Sequence, residues 1–97
     1  MTLPEIGDPN AYALEINGDS LEPVFRDGDM VIVSPAAPIR SGDRVIVRTL
    51  RGEMMTRKLA RRSARHIELN SLSPGHPSDR LDRNAVAWMH RVVWASQ

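Results

Sequence analysis

The chain has 97 residues, of which 41% are hydrophobic and 26% are charged, and its formal net charge is +1 at pH 7. These values are ordinary for one globular domain with a single modest core, and so small a net charge excludes a strong attraction of the whole chain to nucleic acid or membrane. The absence of cysteine excludes disulfides and thiolate metal sites, and it fits a reducing compartment, so we expect a cytoplasmic protein. No apolar run approaches the roughly 20 residues of a membrane span, and no signal-peptide pattern opens the chain.

Short apolar runs separated by turn residues follow one another along the chain. Residues 1–10 are predicted to be a lead-in or the end of a linker, and residues 11–97 to be the folded domain. Six strands are predicted in chain order, at 12–16, 30–33, 43–49, 53–59, 66–69 and 86–94. The Gly-Asp pairs at 28–29 and 42–43 resemble each other, but no longer repeat is present. This spacing predicts a mostly β, single-domain fold built as a curled sheet or partly closed barrel.

The stretch INGDSLEP, residues 16–23, places Ser20 in a predicted turn that Gly18 permits and Pro23 ends. Ser20 is therefore either a turn residue or a nucleophile. A serine hydroxyl reacts only when a base removes its proton, and in a Ser-Lys dyad that base is a neutral lysine buried in an apolar pocket. Backbone N–H groups in the turn, those of Ser20 and Leu21, would bind the oxyanion. Lys58 is the only lysine of the chain.

The stretch NGDSLEPVFRDGDMVIV resembles the Gly-x-Ser-Met-x-Pro and Asp-Gly-Asp signature of the LexA and phage-repressor family of Ser-Lys self-cleaving peptidases. The segments IRSGDRVIV, RGEMMTRKL, IELNSLSPGHP and WMHRVVW are similar to later strands of that family, in the same order. The resemblance implies the fold of the LexA C-terminal domain, with Ser20 as nucleophile and with neither cofactor nor metal. It also implies a homodimer that binds DNA only through a missing N-terminal helix-turn-helix domain, without membrane contact.

The position of the family's lysine raises a question of register. In the family the lysine comes two residues before a leucine, and counting back from Leu59 gives Arg57, with Lys58 one residue later. Strand side chains alternate, so Met55, Arg57 and Leu59 are expected on one face and Lys58 on the other. Arginine cannot give up its proton, so an Arg57 directed at Ser20 would leave an impaired dyad. The alternative is a slip or bulge of one residue that makes Lys58 the base.

A buried Arg57 would need a carboxylate partner. The candidates for that partner are Asp19, Glu22 and Asp29.

The resemblance implies the regulatory and dimerisation domain of a transcriptional repressor, of the kind that acts in the SOS response and is relieved by autoproteolysis. Two alternatives remain open: an active Ser-Lys peptidase that cleaves itself with Ser20 and Lys58, and a processed polymerase-accessory subunit like UmuD. The family cleaves Ala-Gly or Cys-Gly bonds, and neither dipeptide occurs in this chain. The resemblance does not identify an operator sequence or an inducer.

The remaining polar candidates favour structural roles. The histidines have no metal-ligand spacing and are predicted to be surface or packing residues; they are His66, His76 and His90. Asp27 and Asp29 are predicted to shape the Asp-Gly-Asp turn. The arginine-rich segment 57–65 is predicted to be a solvated, charged edge.

The last strand carries the aromatic residues. Trp88 and Trp94 lie six residues apart and would share a face of a regular strand, as core or interface residues. Because no element follows this strand to cover its edge, Val92 and Val93 are predicted at or near the homodimer interface.

Overall fold

The computed structural model describes residues 7–75 and 77–96. In chain order its elements are β1 (Tyr12–Glu15), β2 (Met30–Ser34), β3 (Arg44–Thr49), β4 (Met54–Arg62), β5 (His66–Asn70), β6 (Asp79–Asp82), a 3-10 helix (Arg83–Ala85) and β7 (Val86–Ala95). The prediction of a mostly β fold is confirmed, and all six predicted strands are present. No helix in the described part of the chain is long and apolar enough to cross a membrane.

The strands form one antiparallel sheet in the order β1-β2-β7-β3-β4-β5-β6. β1 and β6 are the edges of this open sheet, so it does not close into a barrel. β7 lies between β2 and β3 and is paired on both sides. The expectation that the last strand has an uncovered edge is therefore wrong, because β2 and β3 are not neighbours and β7 fills the place between them.

Apolar side chains pack on both faces of the sheet. β3 shows this best, because Val45, Ile46 and Val47 are all buried, as expected of a strand covered on both faces. We call the face that carries Ile46 the inner face and the face that carries Val45 and Val47 the outer face. The inner cluster consists of Ile16, Phe25, Val31, Val33, Ile46 and Leu72. The outer cluster consists of Val45, Val47, Leu59, Ile67 and Leu69.

The sheet curls around the inner face. A cavity of about 390 Å³ there is lined by residues of β1 and of β4, although three other strands lie between these two in the sheet. Ladder irregularities leave single unpaired residues, namely Ala60, Ala87 and Val93. Such bulges bend a strand and increase its twist, which accounts for the curl.

The bulge at Val93 also decides where the tryptophans lie. Trp88 packs against the inner cluster, whereas Trp94 pairs with Ile32 on the outer face. The two residues are thus on opposite faces, and the expectation from a regular strand fails because one extra residue reverses the alternation.

Two turns with the same hydrogen bonds precede β2 and β3. In the first, the Asp29 carboxylate accepts the Arg26 N–H at 2.9 Å and the Gly28 N–H donates to the Ile16 carbonyl at 2.8 Å. In the second, the Asp43 carboxylate accepts the Arg40 N–H at 2.8 Å and Gly42 donates to Leu59 at 2.8 Å. Gly28 and Gly42 have φ of 89° and 95°, which a glycine adopts without steric cost. The predicted structural role of Asp29 is confirmed.

The described part of the lead-in, residues 7–10, is attached to the sheet through Asp8. Its carboxylate accepts hydrogen bonds from the Ser34 hydroxyl at 2.7 Å and from the Ala36 and Asn10 N–H groups at 2.9 and 2.8 Å. These bonds, the Ser34 hydroxyl first, hold the pKa of Asp8 below its usual value.

Candidate functional site

The Ser20 turn, which connects β1 to β2 along the chain, lies on the inner face of the sheet. Gly18, with φ of 86°, begins the turn, and its N–H donates to the Asp27 carboxylate at 2.7 Å. The Phe25 N–H donates to the Leu21 carbonyl at 3.1 Å. Phe25 is fully buried in the inner cluster and Leu21 packs against that cluster, so the turn is anchored while Ser20 stays exposed.

The polar groups of Ser20 are available to a substrate. Within residues 7–75 and 77–96, no hydrogen bond involves the Ser20 hydroxyl, the Ser20 N–H or the Leu21 N–H. Two adjacent backbone donors beside a free hydroxyl are what an oxyanion site requires. The local geometry therefore allows Ser20 to act as a nucleophile if a base is at hand.

Residues of the loop after β5 contact the Ser20 turn. The Ser73 hydroxyl hydrogen-bonds the Ser20 carbonyl oxygen and, at 3.1 Å, the Glu22 carbonyl oxygen. Leu72 is buried in the inner cluster beside Phe25. Sequence reasoning missed Ser73, since the only signal was its place in a Ser-rich loop far along the chain from Ser20.

Arg57 lies on the outer face of β4. It is paired with Val45, and its face carries Leu59, as alternation predicts. Its Nε donates to the Asp79 carboxylate at 2.9 Å and its Nη1 to the Thr56 carbonyl at 2.9 Å. The carboxylate partner is thus Asp79, from β6, and not one of the three expected acidic residues. This β6 partner was not foreseen because the polar DRLD segment gave no strand signal.

Lys58 lies on the inner face of β4, the face that the Ser20 turn covers. Its cross-strand partners are Arg44 and Asn70. The Arg44 guanidinium sits 5.4 Å from the centre of the Phe25 ring, and Asn70 comes three residues before the Ser73 that bonds the Ser20 carbonyl. Both neighbours of Lys58 therefore connect its position to the turn. The Lys58 side chain is exposed.

A cleft runs beside this turn on the inner face. It is the 390 Å³ cavity between β1 and β4, and its lining is mostly apolar: Leu14, Glu15, Ile16, Asn17, Leu21, Ile46, Met54, Met55 and Thr56. Met54 is 50% exposed there, an unusual position for a large apolar side chain. Such a cleft suits an extended peptide segment with apolar side chains.

The described histidines make structural contacts. His66 Nε2 lies 3.2 Å from the Asp82 carboxylate, and His90 Nδ1 lies 2.9 Å from the Tyr12 hydroxyl with the ring stacked on Trp88 at 4.1 Å. Burial lowers the pKa of His90 and raises that of Tyr12. His76 lies outside the described residues. In the part of the chain that the structure describes, no group of three or more His, Asp or Glu side chains is placed to hold a metal ion.

Comparison with known proteins points to one family. The profile of the family described as Peptidase S24-like matches residues 2–93. The chain is 32% identical over 83 residues to the LexA repressor of Ruegeria sp. (strain TM1040), which covers 84% of this chain and 34% of that protein. It is 33% identical over 96 residues to LexA repressor 1 of Nocardia farcinica (strain IFM 10152), covering 96% of this chain and 43% of the relative.

A phage protein shows a shorter and closer match. Repressor protein C of Rhizobium phage 16-3 is 51% identical over 39 residues, 40% of this chain and 15% of that protein. The chain thus spans less than half the length of these relatives. On the profile match across nearly all of its residues, together with the two LexA relatives, the chain belongs to the Peptidase S24-like family.

Proposed function

We propose that this chain is the regulatory domain of a transcriptional repressor of the LexA and phage-repressor type, and that Ser20 and Lys58 form its Ser-Lys peptidase site. The observation that carries the proposal is the orientation of β4. Lys58 is on the inner face, the face that the Ser20 turn covers, whereas Arg57 is on the outer face in an ion pair with Asp79.

The chemistry would proceed in two stages. Ser20 Oγ attacks a peptide carbonyl carbon and passes its proton to neutral Lys58 Nζ, while the Ser20 and Leu21 N–H groups hold the oxyanion. The C–N bond then breaks, and Lys58 returns the proton to the leaving amine. Water hydrolyses the resulting ester to a carboxylate and frees Ser20.

The exposure of Lys58 implies a latent site. A lysine acts as a base only when it has lost its proton, and removal from water favours that loss. A peptide segment lying in the adjacent cleft, against Leu21 and Thr56, would cover Lys58 and exclude water. We therefore propose that the substrate segment itself completes the site, so that the free domain is nearly inactive.

An impaired dyad is the competing proposal. It rests on Arg57, which occupies the family's lysine position when residues are counted back from Leu59. A permanently charged guanidinium bound to a carboxylate cannot serve as base. Under this proposal the domain retains only its regulatory and dimerising role.

The repressor assignment rests on the relatives, which are named as repressors. We propose that the chain forms a homodimer and that DNA is bound by a separate part of a longer protein, since pairing of two chains lets two DNA-binding units occupy two half-sites. Of the two residues predicted at the interface, Val92 packs against the inner cluster, so we propose the contact on the outer face of β7, around Val93 and Trp94. A cytoplasmic location stays a prediction from the cysteine-free sequence.

Cleavage of a supplied peptide tests the peptidase site. The substrate is a peptide with an Ala-Gly bond flanked by apolar residues, incubated with the protein at alkaline pH and analysed by mass spectrometry. We expect slow cleavage that Ser20→Ala and Lys58→Ala abolish and that Arg57→Ala leaves nearly unchanged. Cleavage that needs Arg57, or that survives Lys58→Ala, contradicts the assignment of Lys58, and no cleavage by any version supports the impaired dyad.

A further inference from the structure

A second cavity lies on the outer face, where the β4–β5 hairpin meets the 3-10 helix. Its volume is about 220 Å³. Four apolar residues, which we call its floor, and two arginines line it; they are Ile39, Ile67, Val86 and Met89 with Arg62 and Arg83. Ile67 belongs to the outer cluster, and the other three floor residues pack against that cluster, so the floor is part of the core.

The two arginines are exposed, and each hydrogen-bonds a backbone carbonyl rather than a carboxylate. Arg62 Nη2 donates to the Ile39 carbonyl at 2.7 Å, and Arg83 Nη1 donates to the Ser63 carbonyl at 3.0 Å. Neither forms an ion pair with any residue that the structure describes, and none of the lining residues is acidic. Each guanidinium has five N–H donors, so most remain available after one bond to a carbonyl.

Two guanidinium groups beside four apolar side chains match a ligand that is charged at one end and apolar at the other. We propose that this cavity is a binding site for a small apolar monocarboxylate. The carboxylate would accept hydrogen bonds from Arg62 and Arg83, which recognise such groups through paired N–H donors. The apolar tail would lie on Ile67, Val86 and Met89.

The volume of the cavity guides the choice of ligand. At about 30 Å³ for each water, the cavity holds the volume of about seven waters, which suits a tail of five or six carbons such as that of hexanoate. The site lies on the outer face, whereas the Ser20 turn lies on the inner face. The proposal is therefore independent of the peptidase chemistry and stands whether or not the dyad is active.

Nuclear magnetic resonance titration of the 97-residue protein with sodium hexanoate tests the site. We expect saturable shifts of the Ile67, Val86 and Met89 amide signals. Acetate has the charge without the tail, and hexanol has the tail without the charge; each should bind at least about tenfold more weakly, because each lacks one of the two matched groups. If hexanoate gives no saturable shift, or if either comparison compound binds as tightly, the proposal is wrong.

Single substitutions locate the charge recognition. Arg62→Gln and Arg83→Gln should each weaken hexanoate binding by about tenfold, since each removes charge-assisted hydrogen bonds. Arg65→Gln is the matched control, because Arg65 is exposed on the same hairpin but does not line the cavity. Its binding should stay within about twofold of the parent. If Arg65→Gln weakens hexanoate binding equally, the attraction is a general one between charges and the proposed site is wrong. The same spectra report whether each variant is folded.

Discussion

The Phe25 ring anchors the Ser20 turn to the sheet, and its removal gives a measurable prediction. The side chain has no exposed surface and packs in the inner cluster, with the Arg44 guanidinium 5.4 Å from the ring centre. Phe→Ala in a core costs about 3–5 kcal/mol, and an exposed cation–π contact contributes about 0.5–1 kcal/mol. We expect Phe25→Ala to lower the free energy of unfolding by about 4 kcal/mol, a large part of the roughly 5–15 kcal/mol of a small domain.

Urea denaturation followed by tryptophan fluorescence measures this loss, because Trp88 packs against the same cluster. With a slope of about 2 kcal/mol per molar urea, the midpoint should fall by about 2 M at unchanged slope. Phe25→Leu keeps most of the apolar volume and should cost less than about 1.5 kcal/mol. Leu50→Ala is the surface control, since Leu50 is 70% exposed, and should stay within about 0.5 kcal/mol. A Phe25→Ala midpoint no lower than that of Leu50→Ala would refute the packing of the turn.

Three further predictions concern other parts of the domain. Burial lowers the pKa of His90, so as the pH falls the unfolded chain binds a proton at this residue, near pH 6.5, before the folded chain does. The free energy of unfolding should therefore fall as the pH drops below about 6.5. Urea denaturation at several pH values measures this dependence, which His90→Phe should make less steep. Ser73→Ala removes the hydroxyl that bonds the Ser20 and Glu22 carbonyls and should cost about 1 kcal/mol by the same assay; no loss would show that the loop does not hold the turn. Trp94→Lys should convert the proposed dimer to a monomer in sedimentation at tens of micromolar, and a monomeric parent protein would contradict the dimer.

Local patterns predicted the strands well, because glycine and proline turns separate most of the apolar runs. The Ser20 turn was also predictable, since Gly18 and Pro23 lie within five residues of it. β6 was missed because the sequence DRLD has a single apolar residue, and its place is set by pairing with β5 and by the contacts of Asp79 and Leu81 with more distant parts of the sheet. Short polar strands of this kind depend on tertiary contacts more than on local pattern.

Contacts between residues far apart in the chain could not be predicted from the sequence. Alternation placed Arg57 and Lys58 on opposite faces, but only the packing of Phe25 and Leu72 shows which face the Ser20 turn covers. The Arg57–Asp79 ion pair joins residues 22 positions apart through a strand that was not predicted. The place of β7 between β2 and β3, and the reversal at Val93, likewise arise from pairing between distant segments.

The most direct test of the proposed site is the reaction of Ser20 with a fluorophosphonate probe, which bonds covalently to activated serines. Labelling of the 97-residue protein is followed by mass spectrometry from neutral pH to about pH 10, where lysine amines begin to lose their protons. We predict labelling at Ser20 that rises with pH, that Lys58→Ala abolishes and that Arg57→Ala leaves nearly unchanged. Absence of Ser20 labelling at every pH would contradict Lys58 as the base. So would labelling that Arg57→Ala abolishes and Lys58→Ala preserves.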